Sequence, residues 1–566
     1  MAETQSCCID LRSGYCRKTK IFHSLRQAVP MPPPSEPLSI ISYTLSLLYS
    51  STNTASAALS TTSFLIDAAT GSHLTYTAFL HQVDSLSSSI RSLYPNLSVN
   101  DVAFIISPPS LHVPVLYFSL LSLGITVSPA NPLSSPEELA HQIKLSKPSI
   151  AFAATATAHK LPGHLPVILL DSHEFFSMLS SVNNSNSEEK FKIKQSDPAA
   201  ILYSSGTTGK VKAVVLSHRN FIAMIAGLYY NKLANEEQGK QEMNMNMHPA
   251  NLFTVPLFHV YGFFMLLRAA ALGESVVLME KFDFVKMLEA VERYRVTFIP
   301  VTPPLVVAMV KSDLVAKYDL SSLRSLGCGG APLGKEVLVR FEAKFPNVDI
   351  GQGYGLTETT GAATRAIGPD EAKRYGSVGR LSENLEAKIV DPENGEALPP
   401  GKHGELWLRG PIIMKGYAGD DGATTATLDS EGWLKTGDLC YFDSDGFLFI
   451  VDRLKELIKY KAYQVPPAEL EHLLQSIPEI EDAAVIPYPD EEAGQIPMAY
   501  IVRKPGSNIT SAQIMDLIAK QACLFVAPYK KIRRVTFINA IPKTLAGKIL
   551  RKELINLVNS SASPKL

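Results

Sequence analysis

The sequence predicts an α/β protein with a parallel sheet in a large first domain and a compact α+β unit near its end. Between residues 276 and 351, short apolar strands alternate with amphipathic helices, and glycines follow the strands. This alternation is typical of a parallel α/β sheet. Ligands bind at the carboxyl ends of such strands, so the glycine-rich stretches 327–330 and 351–355 are predicted to border a ligand site.

The period of the apolar residues divides this region into individual elements. The predicted strands are Val276–Met279, Thr297–Val301, Leu323–Cys328 and Val348–Ile350. One helix is predicted at Val285–Tyr294. A second helix precedes the last strand, because four apolar residues fall on one helical face: Val337, Leu338, Phe341 and Phe345.

The last part of the chain has a different pattern. A turn at Asp443–Gly446 separates two strand-like runs, and it lacks the further ligands that a calcium loop needs. Beyond it, the pattern predicts two helices and two strands, at the helix faces Leu470–Ile477 and Ile514–Ile518 and at Ala483–Ile486 and Met498–Val502. We place a domain boundary after Arg453, which gives an N-terminal arm on the surface (1–35), a first domain (36–453) and a second domain (454–566).

Composition and charge exclude several classes of protein. Lys and Arg total 53 and Asp and Glu total 54, which gives no support to nucleic-acid binding. The beginning of the chain does not resemble a secretory signal, and the apolar run Val113–Val127 is predicted to be a buried helix rather than a transmembrane segment. The terminal Pro564-Lys565-Leu566 resembles the peroxisomal address Ser-Lys-Leu, so we expect a peroxisomal protein that an import receptor recognises; the cytoplasm is the alternative.

Two short segments suggest phosphate chemistry. Ser204–Lys210 is rich in hydroxyl groups and glycine between a predicted strand (Ala199–Tyr203) and its hairpin partner (Val214–Leu216). Such a run lets backbone N–H groups converge on an anion, although it lacks the P-loop spacing and could be an ordinary turn. Near the end, Lys548 lies on a glycine-bearing turn in the second domain. A phosphate loop and a cation from another domain favour an enzyme that uses ATP.

Five segments, in order, resemble the motifs of the adenylate-forming enzymes, which include acyl-CoA synthetases, luciferases and peptide-synthetase adenylation domains. These segments are Ser204–Lys210, Gly353–Glu358, Tyr417 with Thr436–Asp438, Asp452–Lys459 and Pro542–Lys548. Pro256–Tyr261 and Lys459–Val465 resemble the plant 4-coumarate–CoA ligases and their ligase-like relatives. The resemblance implies that the first domain is the adenylation domain, that it includes a small β-barrel part, and that the second domain is mobile.

The resemblance also implies the substrates and their binding residues. ATP and a carboxylic acid would give an acyl-adenylate, and CoA would then give the thioester, with Mg²⁺ held by Glu358 and Thr208. The residues implied for ATP or AMP are Ser204, Ser205, Gly206, Thr207, Thr208, Lys212, Gln352, Gly353, Tyr354, Thr357, Asp438, Arg453 and Lys548. Lys548 would bridge the carboxylate and the α-phosphate, and it is the first candidate catalytic residue.

For the acyl group, the resemblance implies Tyr261, Met265, Gly330, Gln352, Gly353, Thr357, Lys455 and Lys459. His259 would lie at the mouth of this pocket as a second candidate catalytic residue, or it could be a satisfied core histidine. After the second domain swings, Lys281, Lys459, Lys461 and Ala462 would face CoA. The sequence Thr359–Ala362 in the pocket wall, together with the terminal Pro-Lys-Leu, favours a fatty or oxylipin acid such as a jasmonate precursor over a hydroxycinnamic acid.

Three departures from the family pattern bear on activity. Val211 and Ala213 replace a proline and a glycine, with a mild expected effect. Ala462 replaces a glycine and could narrow the thiol tunnel, and Cys523–Val526 looks like an insertion at a helix end. Two alternatives to a ligase stay open: a luciferase-like oxygenase that uses the same adenylate, and a non-catalytic binder of acyl groups or nucleotides that has lost turnover through Ala462 and the insertion.

Overall fold

The computed structural model describes residues 9–51, 56–181, 192–204, 211–237, 248–331, 333–460, 463–525, 531–544 and 547–561. The strands are β1 (Tyr15–Cys16), β2 (Ile21–His23), β3 (Ser63–Asp67), β4 (His73–Thr75), β5 (Val102–Ile106), β6 (Thr126–Pro129), β7 (Ile150–Ala153), β8 (Val167–Leu169), β9 (Pro198–Ser204), β10 (Lys212–Ser217), β11 (Ala250–Phe253), β12 (Ser275–Leu278), β13 (Phe298–Val301), β14 (Ser325–Cys328), β15 (Asp349–Leu356), β16 (Gly361–Arg365), β17 (Arg380–Leu381), β18 (Glu386–Val390), β19 (Gly404–Arg409), β20 (Gly416–Tyr417), β21 (Leu434–Phe442), β22 (Leu448–Arg453), β23 (Ile458–Tyr460), β24 (Tyr463–Val465), β25 (Ile480–Asp490), β26 (Gly494–Arg503) and β27 (Arg534–Phe537).

The α-helices are α1 (Ile40–Ser51), α2 (Ser56–Thr61), α3 (Tyr76–Leu93), α4 (His112–Ser122), α5 (Pro136–Ser146), α6 (Thr155–Ala158), α7 (His173–Ser180), α8 (His218–Glu237), α9 (Val260–Ala271), α10 (Phe284–Arg293), α11 (Pro303–Lys311), α12 (Lys335–Lys344), α13 (Gly368–Ala372), α14 (Asp421–Thr427), α15 (Pro467–Ser476), α16 (Ser511–Phe525) and α17 (Arg551–Ser561). Within the described residues, two short 3₁₀ helices lie at Asp313–Lys317 and Thr357–Thr359. Helix α16 includes Cys523–Phe525 of the expected insertion, and Val526 lies outside the described residues.

Two large sheets form the first domain. Seven strands follow the order β20-β10-β9-β6-β5-β7-β8, and nine follow the order β17-β16-β15-β14-β13-β11-β12-β3-β4. One hydrophobic cluster joins the two sheets through α1, α3, α4, α8 and α9. The apolar run Val113–Val127 forms most of α4 and the start of β6, and α4 is buried along most of its length, as expected. No helix in the described ranges is long and apolar enough to cross a membrane.

The strand–helix alternation predicted for residues 276–351 is present. Strands β11 to β15 are parallel neighbours, with α10, α11 and α12 between them. The last strand is longer than predicted, because β15 continues from Asp349 to Leu356 and pairs with the antiparallel strand β16. The glycines at 351–355 therefore lie inside a strand and not after it. Gly355 lies at a bulge, where a Cβ atom would be 1.7 Å from the carbonyl oxygen of Gly361.

The small all-β part expected as a barrel is a six-stranded antiparallel sheet of order β1-β2-β18-β19-β21-β22. The expectation that residues 1–35 form only a surface arm is wrong for its described part. Strand β2 pairs with β18, and the buried ring of Phe22 stacks on Phe442 with centroids 4.4 Å apart. The predicted turn at Asp443–Gly446 is present, with the Asp443 carboxylate accepting the backbone N–H of Phe447 at 2.9 Å.

The second domain is an α+β unit. Its sheet has the order β24-β23-β26-β25, and β27 runs parallel to β26. Helix α15 packs on β25, and an apolar core of its own includes Ile458, Leu470 and Ile501. Strand β22 ends at Arg453 and β23 begins at Ile458. The domain boundary after Arg453 falls between these strands, and it stays a prediction.

Candidate functional site

A buried carboxylate lies at the centre of the predicted nucleotide site. Asp438 on β21 is directly opposite Arg453 on β22, and its carboxylate accepts the Arg453 guanidinium Nε at 3.0 Å. The hydroxyl of Tyr354, on β15 of the nine-stranded sheet, donates to the same carboxylate at 2.6 Å. Burial raises the pKa of Asp438, while Arg453, the Tyr354 hydrogen bond and Lys548 lower it. Three distant motifs therefore meet at one group that can accept further hydrogen bonds.

Lys548 reaches this cluster from the second domain. The backbone N–H of Thr544 donates to the Lys548 carbonyl at 2.8 Å, and the Thr544 hydroxyl accepts the Lys548 N–H at 3.2 Å. Gly547 has a φ of 79°, and a Cβ atom there would lie 2.6 Å from the ring of Pro304 at the start of α11. Burial, followed by repulsion from Arg453, lowers the pKa of Lys548. The turn is thus docked on the first domain with its lysine beside the nucleotide cluster.

A second carboxylate, Glu358, lies among hydroxyl groups. The hydroxyls of Ser204 and Tyr417 each donate to its Oε1 at 3.0 Å. The Lys212 ammonium lies over the Tyr417 ring, 4.3 Å from its centroid, and Thr357 is buried next to Glu358. An all-oxygen environment around a carboxylate fits Mg²⁺. The remaining loop residues assigned to phosphate or metal, Ser205, Gly206, Thr207 and Thr208, lie outside the described residues.

The predicted hairpin that carries this loop is present. Strands β9 and β10 are antiparallel, and Tyr203 is opposite Ala213. The Ala213 side chain is buried, and its carbonyl accepts the backbone N–H of Ala418 at 2.8 Å. The alanine that replaces the family's glycine is therefore accommodated in the strand, and its mild effect on activity stays a prediction.

The residues predicted for the acyl group lie around the start of α9 and the glycine-rich strands. The Tyr261 hydroxyl donates to the Gly327 carbonyl at 2.6 Å, and its ring stacks on Phe264. Met265 is buried in α9. Gln352 and Gly353 lie on β15, and Gly330 adopts a φ of 87° after β14. The start of α9 therefore lies beside the neighbouring strands β14 and β15, on the side of the sheet where parallel strands end.

His259 caps a helix, which is a more specific structural role than the satisfied core histidine that the sequence left open as the alternative. It is the N-cap of α9, and its Nδ1 accepts the backbone N–H of Tyr261 at 3.2 Å. Burial lowers its pKa, so the neutral ring that can accept this bond is favoured. Its assignment as a catalytic residue stays a prediction.

The lysines predicted for the acyl and CoA groups are at the surface. Lys281, Lys455 and Lys459 are all exposed, and the Lys459 backbone N–H donates to the Gln495 side chain at 2.8 Å. Lys461 and Ala462 lie outside the described residues. These assignments also stay predictions.

The segment that links the two domains is held by a cluster of charges. Arg551, three residues after Lys548, donates to Glu456 at 2.7 Å and to both oxygens of Glu471 at 2.8 and 2.7 Å. Asp452 accepts the backbone N–H of Ala468 at 2.9 Å. Burial raises the pKa of Glu471 to about 7 and that of Asp452 to about 6. The lysine turn is therefore tied to α15 and to the residues that follow Arg453.

Sequence reasoning missed two side chains and one contact at this site. Tyr417 was predicted with its motif but not as the donor to Glu358, and Phe264, whose ring stacks on Tyr261 at the predicted acyl site, was not predicted. Phe264 could have been found, because residues three apart on a helix share a face. Arg365 pairs with Gly353 across β15 and β16, and no local pattern predicts that pairing.

Comparison with known proteins agrees with this geometry. Residues 54–418 match the family model "AMP-binding enzyme", and residues 469–548 match "AMP-binding enzyme C-terminal domain". The chain is 56% identical over 565 residues to 4-coumarate--CoA ligase-like 9 of Arabidopsis thaliana, with 99% of this chain and 98% of the relative covered. It is 44% identical over 568 residues to Peroxisomal OPC-8:0-CoA ligase 1 of the same species, with 98% and 99% covered.

Solved structures share the fold. ATP-bound MatB from Rhodopseudomonas palustris superimposes with a TM-score of 0.79 at 22% identity, covering 93% of this chain and 100% of that one. MenE from Bacillus subtilis, in complex with ATP and magnesium ion, gives a TM-score of 0.74 at 24% identity, covering 90% and 99%. At these identities the likeness establishes the fold.

The fold and the site together define an adenylate-forming, ATP-using enzyme. The chain belongs to the family of AMP-binding enzymes and carries both the main and the C-terminal domain of that family. The sequence-based predictions of the α/β fold class, of the family and of acid–CoA ligase activity are confirmed.

Proposed function

We propose that this chain, an ATP-dependent acid–CoA ligase, activates a fatty or oxylipin acid of the jasmonate-precursor type. One observation carries the mechanism: Lys548 of the second domain lies beside the Asp438–Arg453 pair of the first. The choice of acid is supported by the 44% identity to a peroxisomal OPC-8:0-CoA ligase. Hydroxycinnamic acids are the second choice, because the other relative reported above is named 4-coumarate--CoA ligase-like 9.

In the first half-reaction, a carboxylate oxygen of the acid attacks the α-phosphorus of ATP. The bond from that phosphorus to the bridging oxygen breaks, and pyrophosphate leaves with the electron pair. Lys548 stabilises the negative charge that develops between the carboxylate and the α-phosphate, and a well-placed donor of this kind is worth about 3–4 kcal/mol of transition-state stabilisation. Burial and Arg453 lower the pKa of Lys548, whereas the carboxylates of Glu456 and Asp438 act in the opposite direction and stabilise the ammonium form.

The other side chains of the cluster bind the nucleotide. Asp438 accepts hydrogen bonds from both ribose hydroxyls, and Arg453 holds its carboxylate in position. Tyr354 offers its ring to adenine while its hydroxyl bonds to Asp438. Lys212 supplies positive charge for the phosphates at the β10 end of the hairpin.

Glu358 is the residue that would hold Mg²⁺, together with Thr208. The hydroxyls of Ser204 and Tyr417 orient the Glu358 carboxylate. When bound, the ion neutralises charge on the phosphates and so favours departure of pyrophosphate.

In the second half-reaction, the second domain rotates at the segment after Arg453, so that Lys548 leaves and Lys459–Gln464 faces the site. The CoA sulfur, as thiolate, attacks the acyl carbon of the adenylate. The carbon–oxygen bond to AMP breaks, and AMP leaves. Lys281, Lys459 and Lys461 attract the phosphates of CoA. We also propose a peroxisomal location, with Pro564–Leu566 as the address that an import receptor would recognise.

The test is incubation of the full-length protein with ATP, Mg²⁺, CoA and a mixed panel of fatty, oxylipin, benzoic and hydroxycinnamic acids, followed by mass spectrometry. We expect acyl-CoA and AMP, with oxylipin or fatty acyl-CoA dominant. Dominant hydroxycinnamoyl-CoA would reject the proposed acid. Acyl-adenylate without acyl-CoA would reject the second half-reaction and would implicate Ala462. No pyrophosphate release with any acid would reject the ligase.

A further inference from the structure

One wall of the proposed acyl site packs against one face of α8. A Cβ atom on Gly361, at the start of β16, would lie 2.6 Å from the Phe264 ring and 3.3 Å from Met224 of α8. Met224, Gly227 and Asn231 are three and four residues apart, so they share one helix face. This face therefore begins at the wall formed by Gly361 and Phe264.

A buried ion pair lies one helical turn further along this face. Arg365 of β16 donates through Nη2 to Glu383 at 2.5 Å, and both side chains are largely buried. A Cβ atom on Gly227 would lie 2.7 Å from the Glu383 carboxylate and 3.7 Å from Arg365 Nη2. Asn231 donates to the same carboxylate. One turn of α-helix rises about 5 Å, so the pair lies a few carbon–carbon bonds beyond Met224.

Arg365 also adjoins the acyl site directly. It is the cross-strand partner of Gly353, and a Cβ atom on Gly353 would lie 3.9 Å from Arg365 Cγ. Arg26 from the N-terminal segment donates to the Arg365 carbonyl at 2.8 Å, which fixes the strand at this point. The guanidinium is thus anchored on an element that already forms part of the proposed acyl site.

The hydrogen-bonding capacity of this guanidinium is not filled. The Nε of Arg365 is buried and has no hydrogen-bond partner within the described ranges. A buried donor without an acceptor costs free energy, and such groups in native structures call for an explanation, such as a ligand. Burial and the nearby cations Arg26 and Arg268 lower the pKa of Arg365, so this cation lies in an environment that favours a further acceptor.

Positive charges outnumber carboxylates around the pair. Glu274 is shared by Arg268 and Lys232, each at 2.8 Å, and Glu371 is shared by Arg26 at 2.5 Å and Arg380 at 3.9 Å. With Arg365 and Glu383, the described residues supply five cations and three carboxylates. Other cations therefore bind the nearby carboxylates Glu274 and Glu371. A purely apolar acyl tail would leave the buried Nε–H of Arg365 without an acceptor, whereas an oxygen on the tail could accept it.

We propose that Arg365, held by Glu383, recognises an uncharged oxygen, a ketone or hydroxyl, on the acyl chain far from the carboxyl group being activated. Arg365 is then a specificity-determining residue, and the substrate class is an oxygenated fatty acid. A neutral oxygen fits better than a second carboxylate because Arg365 already has a carboxylate partner in Glu383. This inference rests on the proposed ligase function.

The test compares kcat/KM for dodecanoic acid with that for its mono-oxo analogues, which have the same length and differ only in the position of the ketone. A hydrogen bond from a charged donor should favour one oxo position by about tenfold. In the paired variant R365Q/E383Q, two amides can still bond to each other, so we expect this preference to fall to about one, with dodecanoic acid turned over within about threefold of the wild-type rate. R295Q/D319N is the matched control, because that pair is exposed and remote from the site.

Three results would overturn the inference: no oxo preference in the wild type, an unchanged preference in R365Q/E383Q, or a stronger preference for dodecanedioic acid. A lowered Tm with equal loss for all acids would also overturn it, since the pair would then be only a structural brace. R365K offers a second route if the double variant does not fold, because it keeps the charge but loses the planar fork; we expect it to lose about half or more of the preference. Absence of any acyl-CoA product would instead reject the ligase proposal itself.

Discussion

Replacing Asp438 with asparagine tests the nucleotide site while keeping the size and shape of the side chain. In the wild type, the carboxylate is 2% exposed and is bonded by Tyr354 at 2.6 Å and Arg453 at 3.0 Å. The asparagine oxygen can still accept from one of these donors. Its NH₂ group cannot accept at all, and it would face a donor from Arg453 or from the ribose.

The expected magnitude follows from the bonds that change. A hydrogen bond to a charged group contributes about 1.5–3 kcal/mol and a neutral one about 1 kcal/mol. Weakening two ribose bonds by about 1.5 kcal/mol each gives about 3 kcal/mol, or roughly a hundredfold rise in the KM for ATP. The adenylation rate at saturating ATP should change much less, because the ribose does not react.

Pyrophosphate release, measured as a function of ATP concentration, gives both parameters. The sharper form of the assay replaces ATP with 2′,3′-dideoxy-ATP. The kcat/KM of the wild type should fall about a hundredfold when dideoxy-ATP replaces ATP. The kcat/KM of D438N, already lowered by the mutation, should fall little further on the same replacement. If the effects of the variant and of the dideoxy nucleotide multiply, Asp438 does not bind the ribose hydroxyls and the reasoning is refuted. D445N is the control, because Asp445 lies in the turn of the same β21–β22 hairpin and pairs only with surface arginines among its described contacts.

Two further predictions concern stability. The folded-state pKa of Glu471, about 7, exceeds its ordinary value of 4.5, so its contribution is full below about pH 4.5 and is lost as the pH rises through 7. The free energy of unfolding of the wild type, relative to E471Q, should therefore fall by up to about 3 kcal/mol over this range; a pH-independent difference in denaturant titrations would contradict this. Gly361 has a φ of 135°, and a Cβ atom there would lie 2.6 Å from the Phe264 ring. G361A should therefore destabilise the protein by about 3 kcal/mol. A Tm close to that of the wild type would contradict this and would show that the Phe264 ring can move to make room for the methyl group.

Local patterns predicted the parts of the fold that depend on neighbours in sequence. The parallel strands β12 to β14, the hairpin of β9 and β10 and the turn at Asp443 are set by apolar period and turn residues. The extension of β15 was missed because it depends on pairing with β16 across a bulge. Strand β2 was missed because its partner β18 lies more than 360 residues further along the chain.

The same distinction applies to the site. Motif resemblance identified Asp438, Arg453, Tyr354 and Lys548, which the fold brings together from both domains. It did not indicate that His259 caps a helix, since this depends on one backbone N–H of the following turn. The Arg365–Glu383 pair joins β16 to the loop between β17 and β18, 18 residues further along the chain, and only the packing against α8 reveals its relation to the proposed acyl site.

The central claim is that Lys548 acts in the adenylation step and leaves the site before CoA reacts. The direct test measures the two half-reactions separately in K548A: acyl-adenylate formation from acid and ATP in a single turnover, and thioester formation from supplied acyl-adenylate and CoA. Loss of about 3–4 kcal/mol should slow adenylation by roughly two to three orders of magnitude, while thioester formation stays within about twofold. K552A, an exposed lysine four residues away, should leave both rates unchanged. Equal loss of both half-reactions in K548A would contradict the account.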